Sequence, residues 1–343
     1  MSAEALSANS LGLPSPRRNL LLAQKWNPDS KYHIGSQILP EYQHDMPFAE
    51  WDEEEGVFGL AQASAMGAKP LNVVKEAFKT YREDPFVWKE SDWIDESGLL
   101  RVRMAGTFNQ LAGQQAIVKM QRRLNIRLDS RLEQQRWAAV QGSNVVNENN
   151  VKRTVTYAVQ TPAAPSVPWD TVATATPVDN IQAWLALFDG VGAGNVRCFY
   201  GRAVGNALAQ NAMIRDLAKQ SGFALDIGIS QGQVNSLVSK AVGDIESMRM
   251  YTQGYKSAAG TFTPFIGAKN FVMVCSPPQG QPLGNFVTTP AIQNGGISSP
   301  KAGRYAVTHD KINDEARYGM TVGYHGIPVI YFPGCIIVVQ VLA

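Results

Sequence analysis

The sequence predicts an α+β fold, and three stretches predict it. Residues 107–141 form a long helical pattern rich in arginine, in which Leu111, Val118, Leu124, Leu128 and Leu132 recur mostly at three-, four- and seven-residue steps and define one apolar face. After a break at Gly142-Ser-Asn144 comes Val151-Lys-Arg-Thr-Val-Thr-Tyr-Ala-Val-Gln160, whose β-branched and aromatic residues fit a pleated surface. The chain then closes on Val329-Ile-Tyr-Phe-Pro-Gly-Cys-Ile-Ile-Val-Val-Gln-Val-Leu-Ala343, too apolar for a loose tail and read as buried strands returning to the core.

The segments fall in order around these anchors. Residues 1–45 have weak periodicity and the breakers Pro14, Pro16, Pro28, Gly35 and Pro40, the pattern of an extended arm that gains order by lying on something else. Residues 46–100 open on Trp51-Asp-Glu-Glu-Glu-Gly56 and interleave apolar and polar residues around Phe78, Tyr81, Phe86 and Trp88, as a projecting two-stranded excursion would. The helix that follows would span roughly 50 Å at 1.5 Å per residue, longer than the usual globular helix. Beyond the 151–160 strand, Thr161-Pro-Ala-Ala-Pro-Ser-Val-Pro168 is a connector, and Asp179 is read as the cap of a short amphipathic helix. Residues 204–219 read as one helix, and 270–275 and 305–308 as strands between Gly- and Pro-rich turns.

Composition narrows the functional classes. The chain has 343 residues, enough for a sizeable core, yet only 17% are charged, below the roughly 25% of an ordinary soluble domain. Low charge suits a protein that hides much of its surface against copies of itself, and a net charge of +2 selects no partner. Cys198, Cys275 and Cys335 stand singly, which indicates neither a disulfide framework nor a zinc knuckle and suits a reducing compartment. The start of the chain lacks the pattern of a secretory leader and no run of eighteen apolar residues occurs, so the expectation is a protein cytosolic at synthesis with no membrane span.

Catalytic patterns find no foothold, and the expectation is a chain that is not an enzyme and needs no cofactor, metal or catalytic residue. Asp189-Gly-Val-Gly-Ala-Gly-Asn195 superficially resembles a phosphate-cradling loop but lacks the Lys-Ser/Thr pair, and it is read as a turn. His33, His44, His309 and His325 form no ligand-like pair and are read as surface polar residues. The long helix itself invites a nucleic-acid reading through Lys119, Arg122, Arg123, Arg127, Arg131 and Arg136. Its rival is an acidic protein surface, and the chain supplies one: residues 41–96 carry 14 acidic residues against five basic ones, a local balance of −9. Facing patches of opposite sign set register between copies. The acidic side of such a contact is assigned to Asp52, Glu53, Glu54 and Glu55, and the basic side to Arg122, Arg123, Arg127 and Arg131.

The order of elements, with the stretch from Arg122 to Val140 ahead of Asn147-Glu-Asn-Asn150, Trp169 through Trp184 with the Asp179 helix, Glu315-Ala-Arg-Tyr318 and the closing Ile-Ile-Val-Val-Gln-Val-Leu-Ala343, resembles the tailed-phage major capsid proteins of the Hong Kong 97-type fold, and specifically the lambda head protein E family. The resemblance implies an N-terminal arm (1–45), an extended loop region (46–100) with its tip at Met66, Gly67 and Lys69, a peripheral domain (101–185) holding the spine helix and the 151–160 strand, an axial domain (186–320) and returning C-terminal strands (321–343). It implies a homo-oligomer of hexamers and pentamers that closes an icosahedral shell around double-stranded DNA without sequence-specific binding. A separate scaffolding protein, a portal and, as an open option, a decoration protein would be its partners, with assembly in the host cytoplasm and a final place in the virion. In relatives that crosslink their subunits a loop lysine reacts; Lys69 lies in that loop here, but no motif supports the bond, and an uncrosslinked shell is expected. The competing readings are a nucleic-acid-binding protein using the Arg-rich helix and a nucleotide enzyme using the Gly190 turn.

Overall fold

The computed structural model describes residues 33–54, 79–94, 106–191, 194–222, 228–257, 259–291, 301–309 and 318–343. In chain order the elements begin with α1 (Gly35–Ile38), β1 (Glu41–Gln43), β2 (Ala49–Glu53), β3 (Lys79–Glu83), β4 (Phe86–Ile94) and the long helix α2 (Gly106–Val140). They continue with β5 (Ser143–Glu148), β6 (Val151–Thr156), α3 (Pro177–Leu185), β7 (Val196–Tyr200), α4 (Arg202–Gln210), α5 (Ala212–Gln220), α6 (Gln231–Val242) and β8 (Ile245–Met250). Last come β9 (Gly254–Lys256), β10 (Phe262–Pro264), β11 (Asn270–Val274), β12 (Gly284–Thr288), β13 (Pro290–Ala291), β14 (Lys301–Ala302), β15 (Tyr305–His309), β16 (Tyr318–Ile330) and β17 (Ile336–Gln340). The chain divides into two compact units, one of residues 1–49, 82–135 and 286–328 and one of 50–81, 136–285 and 329–343.

The first unit is a sheet covered by the long helix. The sheet runs β1-β12-β16-β15, and β4 pairs antiparallel with β16 from Tyr318↔Ile94 to Gly326↔Phe86. Met120, Leu124, Leu128 and Leu132 repeat every four residues along α2, so they lie on one line of the helix and pack with Phe286, Ala306, Met320, Val322 and Tyr324. The expected apolar face is therefore real at Leu124, Leu128 and Leu132 but not at Val118, which is 54% exposed. Val118 belongs to a different four-residue line, with Arg122 and Ile126, that faces away from this core. Ile34, Ile38 and Leu39 are buried, so the segment read as the end of an arm already packs within the subunit.

The 86–94 segment corrects the expected excursion. Only β2 and β3 form a two-stranded ladder there, whereas β4 belongs to the β16 sheet, because its alternation puts Phe86, Trp88, Glu90, Asp92 and Ile94 on the more buried face. The loop tip at Met66, Gly67 and Lys69, most of the arm, Glu55 and residues 315–317 lie outside the described residues.

The second unit is built on the sheet β17-β11-β7-β8, antiparallel except for the parallel β7–β8 pair. Ile336 to Val339 of the closing strand are buried as expected, and Phe271, Val272, Met273 and Val274 opposite them are fully buried. Trp169 stacks on Trp184 at 5.8 Å and meets Phe271 edge-on, while its indole N–H donates to Asn180 Oδ1 at 3.0 Å. Three local expectations change here. The 204–219 helix is two helices, because Asn211 adopts extended backbone and caps α5 by accepting the Ile214 N–H at 3.3 Å. The N-cap of α3 is Thr176, with Pro177 in the first turn, and Asp179 lies inside that turn, where the helix dipole still favours a carboxylate. The 151–160 strand ends at Thr156, and its partner β5, not anticipated, pairs with it across the two-residue turn Asn149-Asn150. Both asparagines have positive φ, 48° and 64°, the primed hairpin turn whose twist matches that of the flanking strands. Helix α6 was likewise not anticipated; a capping box between Ser230 and Gln233 starts it and Gly243, at φ 92°, ends it.

Candidate functional site

The helix α2 carries two adjacent lines of buried side chains. Beside the apolar line runs a polar one, again in steps of four: Gln121, Asn125, Asp129 and Glu133 are all buried. The partners of Asn125, Asp129 and Glu133 explain why they are inside. Arg304, 8% exposed, forms a salt bridge with Asp129, 3% exposed, and also donates to Asn125 Oδ1 at 2.9 Å, so one guanidinium spans one helical turn. Glu133 Oε1 accepts the Gly35 N–H at 2.8 Å, tying the start of α1 to the helix. The approach is close, since a Cβ on Gly35 would lie 2.8 Å from Glu133 Oε2. This line is missed at the level of sequence; the four-residue spacing of Gln121, Asn125, Asp129 and Glu133 is the signal that could have found it.

The outer cations face β4. Arg123 is salt-bridged to Asp92, and Arg127 donates from Nε and Nη2 to both carboxylate oxygens of Glu90 at 2.6 and 2.8 Å, a forked pair. That pairing with Glu90 holds the Arg127 guanidinium above its ordinary range. The Arg131 guanidinium sits 4.6 Å from the centre of the Trp88 ring. A cleft of about 350 Å³ lies among Glu90, Ser91, Asp92, Arg123, Leu124 and Arg127. Arg136 is buried, leaving Lys119 and Arg122 as the exposed cations of the described helix that no acidic group among the described residues is seen to hold. A continuous phosphate-binding stripe would need those other guanidiniums free, so the geometry weakens the nucleic-acid reading.

The acidic side of the expected contact divides. Asp52 is exposed and accepts the Thr80 hydroxyl at 2.6 Å, and Glu54 is exposed. Glu53 is half-buried, and burial raises its carboxyl above the ordinary value, opposed by hydrogen bonds from the Tyr81 hydroxyl and the Ala158 N–H and by the charge of Lys79. Trp51 stacks on Tyr81 at 5.4 Å, so the base of the β2–β3 ladder is a packed feature of the second unit. Asp52 and Glu54 thus present charge outward while Glu53 is used within the subunit.

The remaining polar groups are structural in kind. His325, read as a surface residue, is half-buried edge-on to Tyr305 at 5.9 Å; burial and the nearby Lys89 lower its pKa. The Tyr200 hydroxyl, held by Gln231 and Asn235, is pushed up to about 12 by burial. The Gly190 region is a turn, with Gly190 at φ 83°, and strand β7 follows it instead of the helix a phosphate loop needs. Among the described residues no group of His, Cys, Asp and Glu has the arrangement to hold a metal ion, and no helix is long and apolar enough to cross a membrane.

Residues 18–341 match the family model described as phage major capsid protein E, nearly the whole chain. The chain belongs to the phage major capsid protein E family. No curated protein sequence is significantly similar to it. Among solved structures, a phage-related protein from Bordetella bronchiseptica RB50 aligns with a TM-score of 0.58 at 12% identity, covering 96% of this chain and 97% of the other. A prophage protein of E.coli CFT073, described as a capsid protein, aligns with a TM-score of 0.55 at 16% identity, covering 78% of this chain and 80% of the other. The fold is the Hong Kong 97-type capsid fold, and the chain is a major capsid protein, a structural component from which many subunits build a phage shell. Function in such a protein resides in its surfaces.

Proposed function

We propose that this capsid protein closes, as hexamers and pentamers, into an icosahedral shell around double-stranded DNA. Residues 101–185, with the long helix and the 151–160 strand, serve as the peripheral domain, residues 186–320 as the axial domain that meets its copies around the symmetry axes, and residues 321–343 as the strands returning to the core. Residues 1 to about 45 serve as the arm and the segment between β2 and β3 as the extended loop. The observation that carries this reading is the 35-residue helix held to its sheet by an apolar line and to Arg304 and Gly35 by a buried polar line, a stiff strut suited to fixing subunit shape in a closed assembly. Assembly in the host cytoplasm on a separate scaffolding protein, with a portal and room for a decoration protein, completes the proposal, and the shell is not crosslinked through Lys69. The DNA is enclosed and not read, consistent with arginines engaged by Asp92, Glu90, Asp129 and Trp88.

The patches proposed to face each other between neighbours are Asp52 to Glu55 on one side and Arg122, Arg123, Arg127 and Arg131 on the other. Arg122, exposed, is the member with most to gain, because Arg123 and Arg127 already have acidic partners. Negative-stain microscopy of the protein expressed alone and with the neighbouring phage head genes tests the proposal. Closed particles of uniform size are expected; protein that stays monomeric under both conditions, or binds DNA tightly as a small species with steep salt dependence, would overturn it.

A further inference from the structure

We propose that Cys275 and Cys335 are a cross-strand thiol pair built to close into a disulfide, fastening the C-terminal strand β17 to β11 when the protein meets an oxidising small-molecule disulfide.

The register makes the pair. Strands β11 and β17 are antiparallel with Val274 opposite Ile336, so one step further along the same ladder sets Cys275 opposite Cys335. The Cys275 N–H donates to the Cys335 carbonyl at 2.9 Å, which continues that ladder through the two cysteines. Directly opposed residues of such a hydrogen-bonded pair have Cα atoms about 5.5 Å apart, inside the range a disulfide spans. Both thiols are free, and the Cys335 thiol donates to the Val191 carbonyl at 3.7 Å. Cys198, the third cysteine, also lies in this sheet, on β7, but is opposed by Met273 and Met248 and has no thiol across from it.

The oxidant would approach through a groove of the same unit. A groove of about 770 Å³, bordered by Phe188, Asp189, Gly190, Asn195, Val242 and Asp244, reaches Cys275. All three cysteines are buried, and this groove is lined by Cys275 and not by Cys198.

The step balances as thiol–disulfide exchange. Cys275 loses its proton and attacks one sulfur of RS–SR, breaking that S–S bond, forming a mixed disulfide and releasing RS⁻. Cys335 then loses its proton and attacks Cys275 Sγ, the mixed disulfide breaks and a second RS⁻ leaves. Two protein thiols are oxidised by two electrons, RS–SR is reduced to two thiols, and the two protons lost by the cysteines end on them. The closed bond would enclose the chain from 275 to 335 and pin the last strand, whose loss would open the sheet edge.

The test uses the full-length protein with oxidised glutathione at pH 8 as the oxidant, followed by alkylation, digestion and mass mapping without reductant. The expected result is one free thiol in place of three, a crosslinked peptide joining Cys275 to Cys335, and an apparent melting temperature that rises on oxidation and returns with dithiothreitol. Cys198→Ser should keep all of this, and Cys335→Ser should stop at a glutathione adduct on Cys275. Three free thiols after oxidation, or a crosslink involving Cys198, would overturn the proposal, and the mapping on unsubstituted protein decides it even if a serine variant fails to fold.

Discussion

Arg304 and Asp129 show how much one residue pair can decide in this fold. Both are almost fully withdrawn from water, so removing the cation takes from a buried carboxylate the guanidinium that faces it. Arg304→Ala should destabilise the subunit by about 3–5 kcal/mol, read as a lower urea midpoint, and Arg304→Met with Asp129→Leu should recover most of it because the buried carboxylate is removed with its cation. Equal loss in the single and double variants would mean that packing, and not charge, carries the effect. His325 supplies a pH signature at the same scale. Its pKa is lowered from 6.5 in the fold, so between that value and the lower folded one the unfolded chain holds more protons, and stability falls as pH drops through that window and levels off beneath it. Urea midpoints of the protein and of His325→Gln, compared between pH 7.5 and 5, should show a smaller acid loss in the variant; parallel curves would remove His325 as the cause.

At the scale of elements, the closing strand is the test of how the second unit holds together. Ile337 is fully buried opposite Met273, and Ile337→Ala should cost about 2–5 kcal/mol, while removing residues 335–343 should leave no soluble subunit. Soluble, shell-forming protein after that truncation would show that the sheet does not need its edge. This strand was legible in the sequence because a fully buried strand is an unbroken apolar run, and the long helix was legible because its apolar line repeats over many turns. Helix α6 was not, since its core residues are only Val234, Leu237 and Val238 within a polar stretch, and the clue was the cap at Ser230 with Gln233. β4 was legible as a strand but assigned to the wrong ladder, because alternation fixes which face a residue shows and says nothing about which partner strand it joins. The candidate contact suffered in the same way: charge counts found the acidic and basic segments, while the placement of Glu90 and Asp92 against Arg127 and Arg123 within one subunit depends on the β4–β16 pairing.

For the whole molecule, that internal pairing changes how the proposed contact between neighbours must be tested. Reversing Arg123 or Arg127 would break pairs inside the subunit, and reversing Glu53 would disturb its bonds to Tyr81 and Ala158, so none of these isolates assembly from folding. Glu54→Lys with Glu55→Lys on the loop side and Arg122→Glu on the helix side avoid them, Glu54 and Arg122 being exposed. If the loop of one capsid subunit lies over the helix of the next, the double lysine variant should fold normally but lose most of its shell yield, since like charges brought together at a contact cost several kcal/mol. Adding Arg122→Glu should restore part of that yield. The measurement belongs at low salt, where the Debye length is about 30 Å at 0.01 M against about 8 Å at 0.15 M, so a true contact shows a larger defect there than in physiological buffer. Normal shells from the double lysine variant at 0.01 M salt would mean that these two patches do not meet, and that the charge on the outer line of the helix serves the β4 strand of its own subunit alone.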